Sequence, residues 1–343
     1  MGVSASSISA AVTGIGHYLP ERVVTTEEVV ARVNEASGRQ VLTPRIIRAL
    51  TGVEERRYAP EGTTSSQLAA WAGQAALDAA GVSPLDVDML IFSAVTQDVI
   101  EPATSNIVQE RLGCWNAAVC DVKNACNSFL NGLDVATAKI LTGQAQRVLV
   151  TTGEMASVHI CWQIEDAADA ERKLPALTIG DGGGAFLVEA AEGGGRGLLP
   201  GIFRSDGREW RLSVILSGGT MYPHDSSHFH MECDGGRLHD LGVERVPGVL
   251  EEVMRRYGWD TDDVTLGVPH QTSTHTIDTI RTKTGFRADQ AVVTVDKLGN
   301  TGAASIPIGL SLAIEQGRAK RGDKILLIGG AAGFGVGVIP LIL

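Results

Sequence analysis

A chain of 343 residues, 44% apolar and 20% charged, is long enough for two cores or one large layered domain. Its formal net charge of −11 leaves no electrostatic footprint for nucleic acid or an anionic membrane surface. Five cysteines are an odd number without paired spacing, and no uncharged run approaches membrane-spanning length, so a soluble cytoplasmic protein without a disulfide framework is expected.

In chain order, the first eleven residues lack the charged-then-apolar order of a secretion signal. Residues 25–28 carry a helix-start signal. Residues 64–80 have helical spacing and stop at Gly81, a C-cap. An apolar strand is expected at 89–95. A strand and turn at 121–125 then lead into a helix at 126–141, where Phe129, Leu130, Leu133, Ala136, Ile140 and Leu141 recur at three- and four-residue steps. The continuous apolar runs at 148–150 and 325–328 read as strands buried on both faces.

A shift of 177 residues superimposes several of these landmarks without a gap. Gly81, Asp86 and Val87 fall on Gly258, Asp263 and Val264; Ser128, Gly132 and Leu133 fall on Ser305, Gly309 and Leu310; Gly153 falls on Gly330. The period is far too long for a solenoid and implies two similar α/β halves. The expected division is residues 1–190 and 191–343, with helices both between and outside buried sheets.

Three residues carry candidate chemistry. Cys126, in Asn124-Ala125-Cys126-Asn127-Ser128, is placed at a helix start, where unpaired amides and the helix dipole favour a thiolate. His270, in Val268-Pro269-His270-Gln271, ends a strand that aims an imidazole into a cleft. Asn300, in Gly299-Asn300-Thr301-Gly302, offers an amide donor to an oxyanion or enolate. Thiol, imidazole and carboxamide together suit covalent acyl transfer. Each alone has a plain structural reading, as a buried hydrophobe, a core histidine and a turn residue.

Together with Gly180-Asp181-Gly182-Gly183-Gly184-Ala185 and Gly299-Asn300-Thr301-Gly302-Ala303-Ala304-Ser305, these motifs resemble β-ketoacyl synthase III of the thiolase superfamily, colinearly from about Gly14 onward. The resemblance implies a five-layer αβαβα fold, a homodimer, a Cys-His-Asn triad and no cofactor. It implies acyl-CoA or acyl carrier protein thioesters as substrates. An acyl group would load onto Cys126 and be attacked by a carbanion whose enolate oxygen meets His270 and Asn300. The backbone amides of Cys126 and Ala332 would form a second oxyanion hole.

Some positions depart from that pattern. Ile46 and Leu50 stand where a tryptophan and an arginine would contact CoA, and His275 stands where an arginine would help dock the carrier protein. Glu101 takes the place of a hydrophobic residue at the dimer interface, which resembles the head-to-head condensing branch, where a partner-subunit carboxylate acts as base. A solvated loop glutamate is the alternative. His224, His228, His230 and Cys233 are dense enough to suggest a metal, but no second ligand pair follows, so no metal site is expected. Residues 180–184 lack the spacing of a phosphate loop and suit close backbone packing instead. Two rival functions stay open: acyl transfer to a hydroxyl or amine of a secondary metabolite, and a catalytically dead dimerisation partner.

Overall fold

The computed structural model describes residues 8–193 and 195–343; the first seven residues of the segment searched for a leader lie outside them. Local signals act where expected. Thr25 and Glu28 form a reciprocal capping box at the start of the helix Thr26–Ala36. Thr64 caps the helix Ser65–Ala80, whose chain reverses at Gly81 with φ of 67°. Two bounds differ from expectation. The strand after residue 88 is shorter, Met89–Phe92, and the helix expected from Cys126 begins at Ser128.

Among the described residues, ten strands form one mixed sheet. Nine follow in order: Leu266–Pro269, Lys324–Ala331, Gly335–Ile342, Gly197–Leu198, Ile8–Tyr18, Gly182–Glu192, Arg147–Glu154, Met89–Phe92 and Ala118–Asp121. Ile202–Ser205 pairs with Gly335–Ile342 off this path. The two buried runs read from the sequence are the strands Arg147–Glu154 and Lys324–Ala331. The two-residue strand Gly197–Leu198 joins the halves into one sheet, contacting Ala10 on one side and Leu341 and Ile342 on the other. Only glycine fits at 197: its φ is +103°, and a Cβ would lie 2.1 Å from the Ala10 carbonyl oxygen.

The 177-residue shift is a structural repeat. Strands begin at Met89 and Leu266 and again at Arg147 and Lys324, and helices begin at Ser128 and Ser305. Hydrogen bonds repeat with them. Asp88 N–H donates to Arg147 O as Thr265 N–H does to Lys324 O, and Ser93 N–H donates to Thr151 O as His270 N–H does to Ile328 O.

The layers follow from which faces are apolar. Helices Ser128–Leu141 and Ser305–Glu315 touch strands of both halves, and Phe129, Leu130, Leu133, Ile306 and Leu310 share one buried cluster with Phe186, Val150, Leu327 and Ile339. They form the middle layer. Helices Ser65–Ala80 and Thr104–Leu112 cover the outer face of the first half through a separate cluster, and Gly235–Tyr257 covers that of the second. The result is the five-layer αβαβα arrangement of two repeated halves.

Candidate active site

Cys126 follows the strand Ala118–Asp121 through a tight turn. Asp121 ends that strand by accepting the N–H groups of Thr104 and Ser105, both at 2.8 Å. Ala125 then adopts φ of +47°, a left-handed conformation that costs a residue with a Cβ about 1 kcal/mol or more. Ser128 holds it there: Oγ accepts the Asn124 N–H at 2.8 Å and donates to the Ala125 carbonyl at 2.6 Å. The thiol therefore projects from a braced turn rather than from the first helical residue.

Its electrostatics also differ from the expectation of a favoured thiolate. Burial pushes the Cys126 thiol up to about 12, with the Glu154 carboxylate adding to the rise. The backbone N–H groups of Cys126 and Ala332 pull it down, but less. Cys126 stands two positions before the helix start at Ser128, and in a desolvated site a few amide dipoles do not offset the lost hydration of an anion. The resting thiol is protonated.

His270 follows the strand Leu266–Pro269 and is buried. Its Nδ1 lies 2.8 Å from Ser305 Oγ, and burial lowers its pKa to about 4, so the imidazole is neutral at physiological pH. Gln271 anchors the loop. Its amide donates to the carbonyls of Pro269 and Val292 and accepts from the N–H groups of Thr294 and Val295.

Asn300 is held from both sides of its backbone, donating to Thr178 O at 2.9 Å and accepting the Gly180 N–H at 3.0 Å. A Cβ at Gly180 would stand 2.3 Å from the Leu298 carbonyl, so this glycine is required by close approach, as the sequence suggested. Asn300 Oδ1 accepts the Gly302 N–H at 2.9 Å, which orients the side chain and makes Nδ2 its donor group.

Two cavities, of about 580 Å³ and 560 Å³, meet at Cys126, Asn300 and Ala332. His270 lines the first, which also takes in Leu50 and His275; the second is walled by Glu154, Ile100, Lys123 and His159. Leu50 and Ile46 are largely exposed, 58% and 41%. His275 stacks on His239, with ring centres 5.2 Å apart.

Other candidates separate from this centre. Glu101 is exposed and lines neither cavity of this chain, although its neighbour Ile100 lines the second. Among the described residues, no three His, Cys, Asp or Glu side chains are placed to hold a metal, so the cluster from His224 to Cys233 does not form such a site; Cys233 lines the first cavity instead.

Sequence reading missed Glu154. Fully buried, it accepts from the N–H groups of Val95, Thr96 and Ala303 and from the Thr96 hydroxyl, at 2.8–3.1 Å. Burial raises its pKa to about 7 against those four donors. The only signal was its place at the end of a buried strand, where a carboxylate needs partners.

Known proteins are similar to this chain over nearly its whole length. Residues 120–207 match the family model of 3-oxoacyl-[acyl-carrier-protein (ACP)] synthase III, and residues 254–341 match that of its C-terminal region. The chain is 38% identical to β-ketoacyl-[acyl-carrier-protein] synthase III of Rhodobacter capsulatus over 96% of this chain and 98% of that one. The crystal structure of 3-oxoacyl-(acyl carrier protein) synthase III from Pseudomonas aeruginosa superposes with a TM-score of 0.87 at 28% identity, covering 97% of this chain and 98% of that one. OleA of Xanthomonas campestris shares the fold, with a TM-score of 0.87 at 24% identity over both whole chains. With a repeated five-layer fold, a thiol, imidazole and carboxamide converging on one centre, and near-full-length similarity, this chain belongs to the β-ketoacyl-acyl carrier protein synthase III family.

Proposed function

We propose that this protein is a Claisen-condensing acyltransferase working through an acyl group on Cys126. The observation that carries the reading is the meeting of Cys126, Asn300 and the Ala332 amide where two cavities join, with His270 lining the first. The thiol attacks an acyl thioester, and the carrier leaves as a free thiol. The amides of Cys126 and Ala332 face the sulfur and so stabilise the tetrahedral oxyanion. A second thioester then supplies a carbanion, from malonyl by loss of carbon dioxide. Neutral His270 and Asn300 Nδ2 donate to its enolate oxygen. The carbanion attacks the acyl carbon, and the Cys126 thiolate departs and is reprotonated.

CoA and acyl carrier protein thioesters are the proposed partners, and no cofactor takes part. Asn300 bears an amide where hydroxyl acylation would need a carboxylate base, so ester or amide formation is not favoured. The working unit is a cytoplasmic homodimer, with each chain divided near residue 190 and the exposed Glu101 reaching the partner's second cavity as a base. Intact-mass analysis after incubation with acyl-CoA should show one adduct, lost in Cys126→Ala. An undiminished adduct in that variant removes Cys126 from the role. Analysis of products from malonyl and acyl thioesters, with and without a hydroxyl acceptor, separates condensation from ester formation.

A further inference from the structure

The internal repeat places one serine beneath each catalytic element. Ser128 and Ser305 open equivalent helices, 177 residues apart, and both side chains are buried. The repeat has divided the chemistry between them. The counterpart of His270 in the first half is Ser93, and the counterpart of Cys126 in the second half is Ala303. Each serine therefore serves a different residue.

In the second half, Ser305 Oγ lies 2.8 Å from His270 Nδ1 and receives the Gln271 N–H at 3.4 Å. A hydroxyl has one proton to give. Its two lone pairs let it accept from both the Gln271 amide and Nδ1–H, or accept from the amide and donate to Nδ1; donation from Nε2 to the enolate requires the second arrangement. In the first half, among the described residues, Ser128 has no hydrogen bond to an imidazole. Ser128 turns instead to the nucleophile turn, where it spans Asn124 N–H and Ala125 O and holds Ala125 in its left-handed conformation.

We propose that Ser128 and Ser305 are duplicated positioning residues with separate tasks: Ser128 sets the Cys126 turn for acylation, and Ser305 fixes the His270 tautomer that donates to the enolate in condensation. This rests on the condensing reaction above. It assigns each serine to one half-reaction, which a merely structural role would not do.

The test uses Ser128→Ala and Ser305→Ala in the full-length protein, beside His270→Ala. Acylation is timed by rapid quench and intact mass with the acyl-CoA that best loads Cys126, and condensation by product formation with a malonyl thioester. Ser305→Ala is expected to leave acylation within about twofold and slow condensation about ten- to a hundredfold, the usual cost of removing the partner that orients a functional histidine. Ser128→Ala is expected to slow acylation by a similar factor. Two-bond 1H–15N spectra should place the His270 proton on Nε2 in the native protein and show a loss of that preference in Ser305→Ala. Native-rate condensation by Ser305→Ala, equal losses in both half-reactions, or a native proton on Nδ1 overturns the proposal. Full-rate condensation by His270→Ala would instead overturn the reaction assigned to the site.

Discussion

The backbone N–H of Ala303 donates to Glu154 Oε1 at 3.1 Å, tying the repeat that carries Asn300 to the repeat that carries Cys126. The same carboxylate takes the amides of Val95 and Thr96, which line the second cavity. One buried acid thus fixes the Asn300 turn against the wall of the site.

Its proton should be visible in stability. The folded pKa of about 7 exceeds the ordinary 4.5, so the folded state binds this proton more tightly than the unfolded chain. The sign follows: stability from this group falls as pH rises from about 4.5 through 7, by about 3 kcal/mol at most. His270 acts oppositely, because its folded pKa of about 4 lies below 6.5 and stability is lost as pH falls between them. The two overlap, so the measurement is a difference. Denaturant titrations at pH 5 and pH 8 should show that Glu154→Gln loses stability relative to native protein at pH 5 and recovers at pH 8. An equal offset at both would mean that the carboxylate does not titrate there.

The raised thiol pKa predicts the reactivity of Cys126. With a pKa near 12, the thiolate fraction rises about tenfold per pH unit throughout the neutral range. Alkylation of Cys126 by iodoacetamide, followed by intact mass, should keep accelerating beyond pH 9. A plateau near pH 7 would mean that an ion pair or the helix dipole holds the thiolate after all.

Gly180→Ala should damage the site through packing. The added methyl meets the Leu298 carbonyl at 2.3 Å and the Arg56 side chain at 3.3 Å, and a buried backbone carbonyl cannot step aside. We expect a loss of about 1–3 kcal/mol. Condensation should fall more than acylation, because the strain enters the turn that carries Asn300. Thermal melts with the two half-reaction rates check both parts.

Glu101→Gln tests the proposed role of Glu101 as a partner-subunit base. With two non-malonyl thioesters, product formation should fall about a hundredfold, in the range of general-base contributions, while Cys126 acylation is unchanged. With a malonyl thioester, where decarboxylation generates the carbanion, little change is expected. Unaltered rates with both would return Glu101 to a solvated loop.

Much of the architecture was legible because it rests on short-range and periodic signals. The capping box at Thr25 and Glu28, the stop at Gly81, the buried strands and the 177-residue repeat are all written in residue type and spacing. The repeat was the strongest of these, because it survives down to matched backbone hydrogen bonds at Ser93 and His270.

The sequence by itself determined which groups are offered for the proposed chemistry: the Cys126 thiol, the His270 imidazole and the Asn300 carboxamide, each at the edge of a small-residue turn. Only the tertiary structure decided their ionisation and aim. Sequence spacing placed Cys126 on a helix end and implied a lowered pKa, but desolvation by side chains distant in the chain, with Glu154 beside it, reverses the sign. Likewise Ser305 appeared only as a landmark of the repeat until folding set it 2.8 Å from His270. Burial and hydrogen-bond geometry are sums over neighbours brought together by packing, and local pattern carries no record of them.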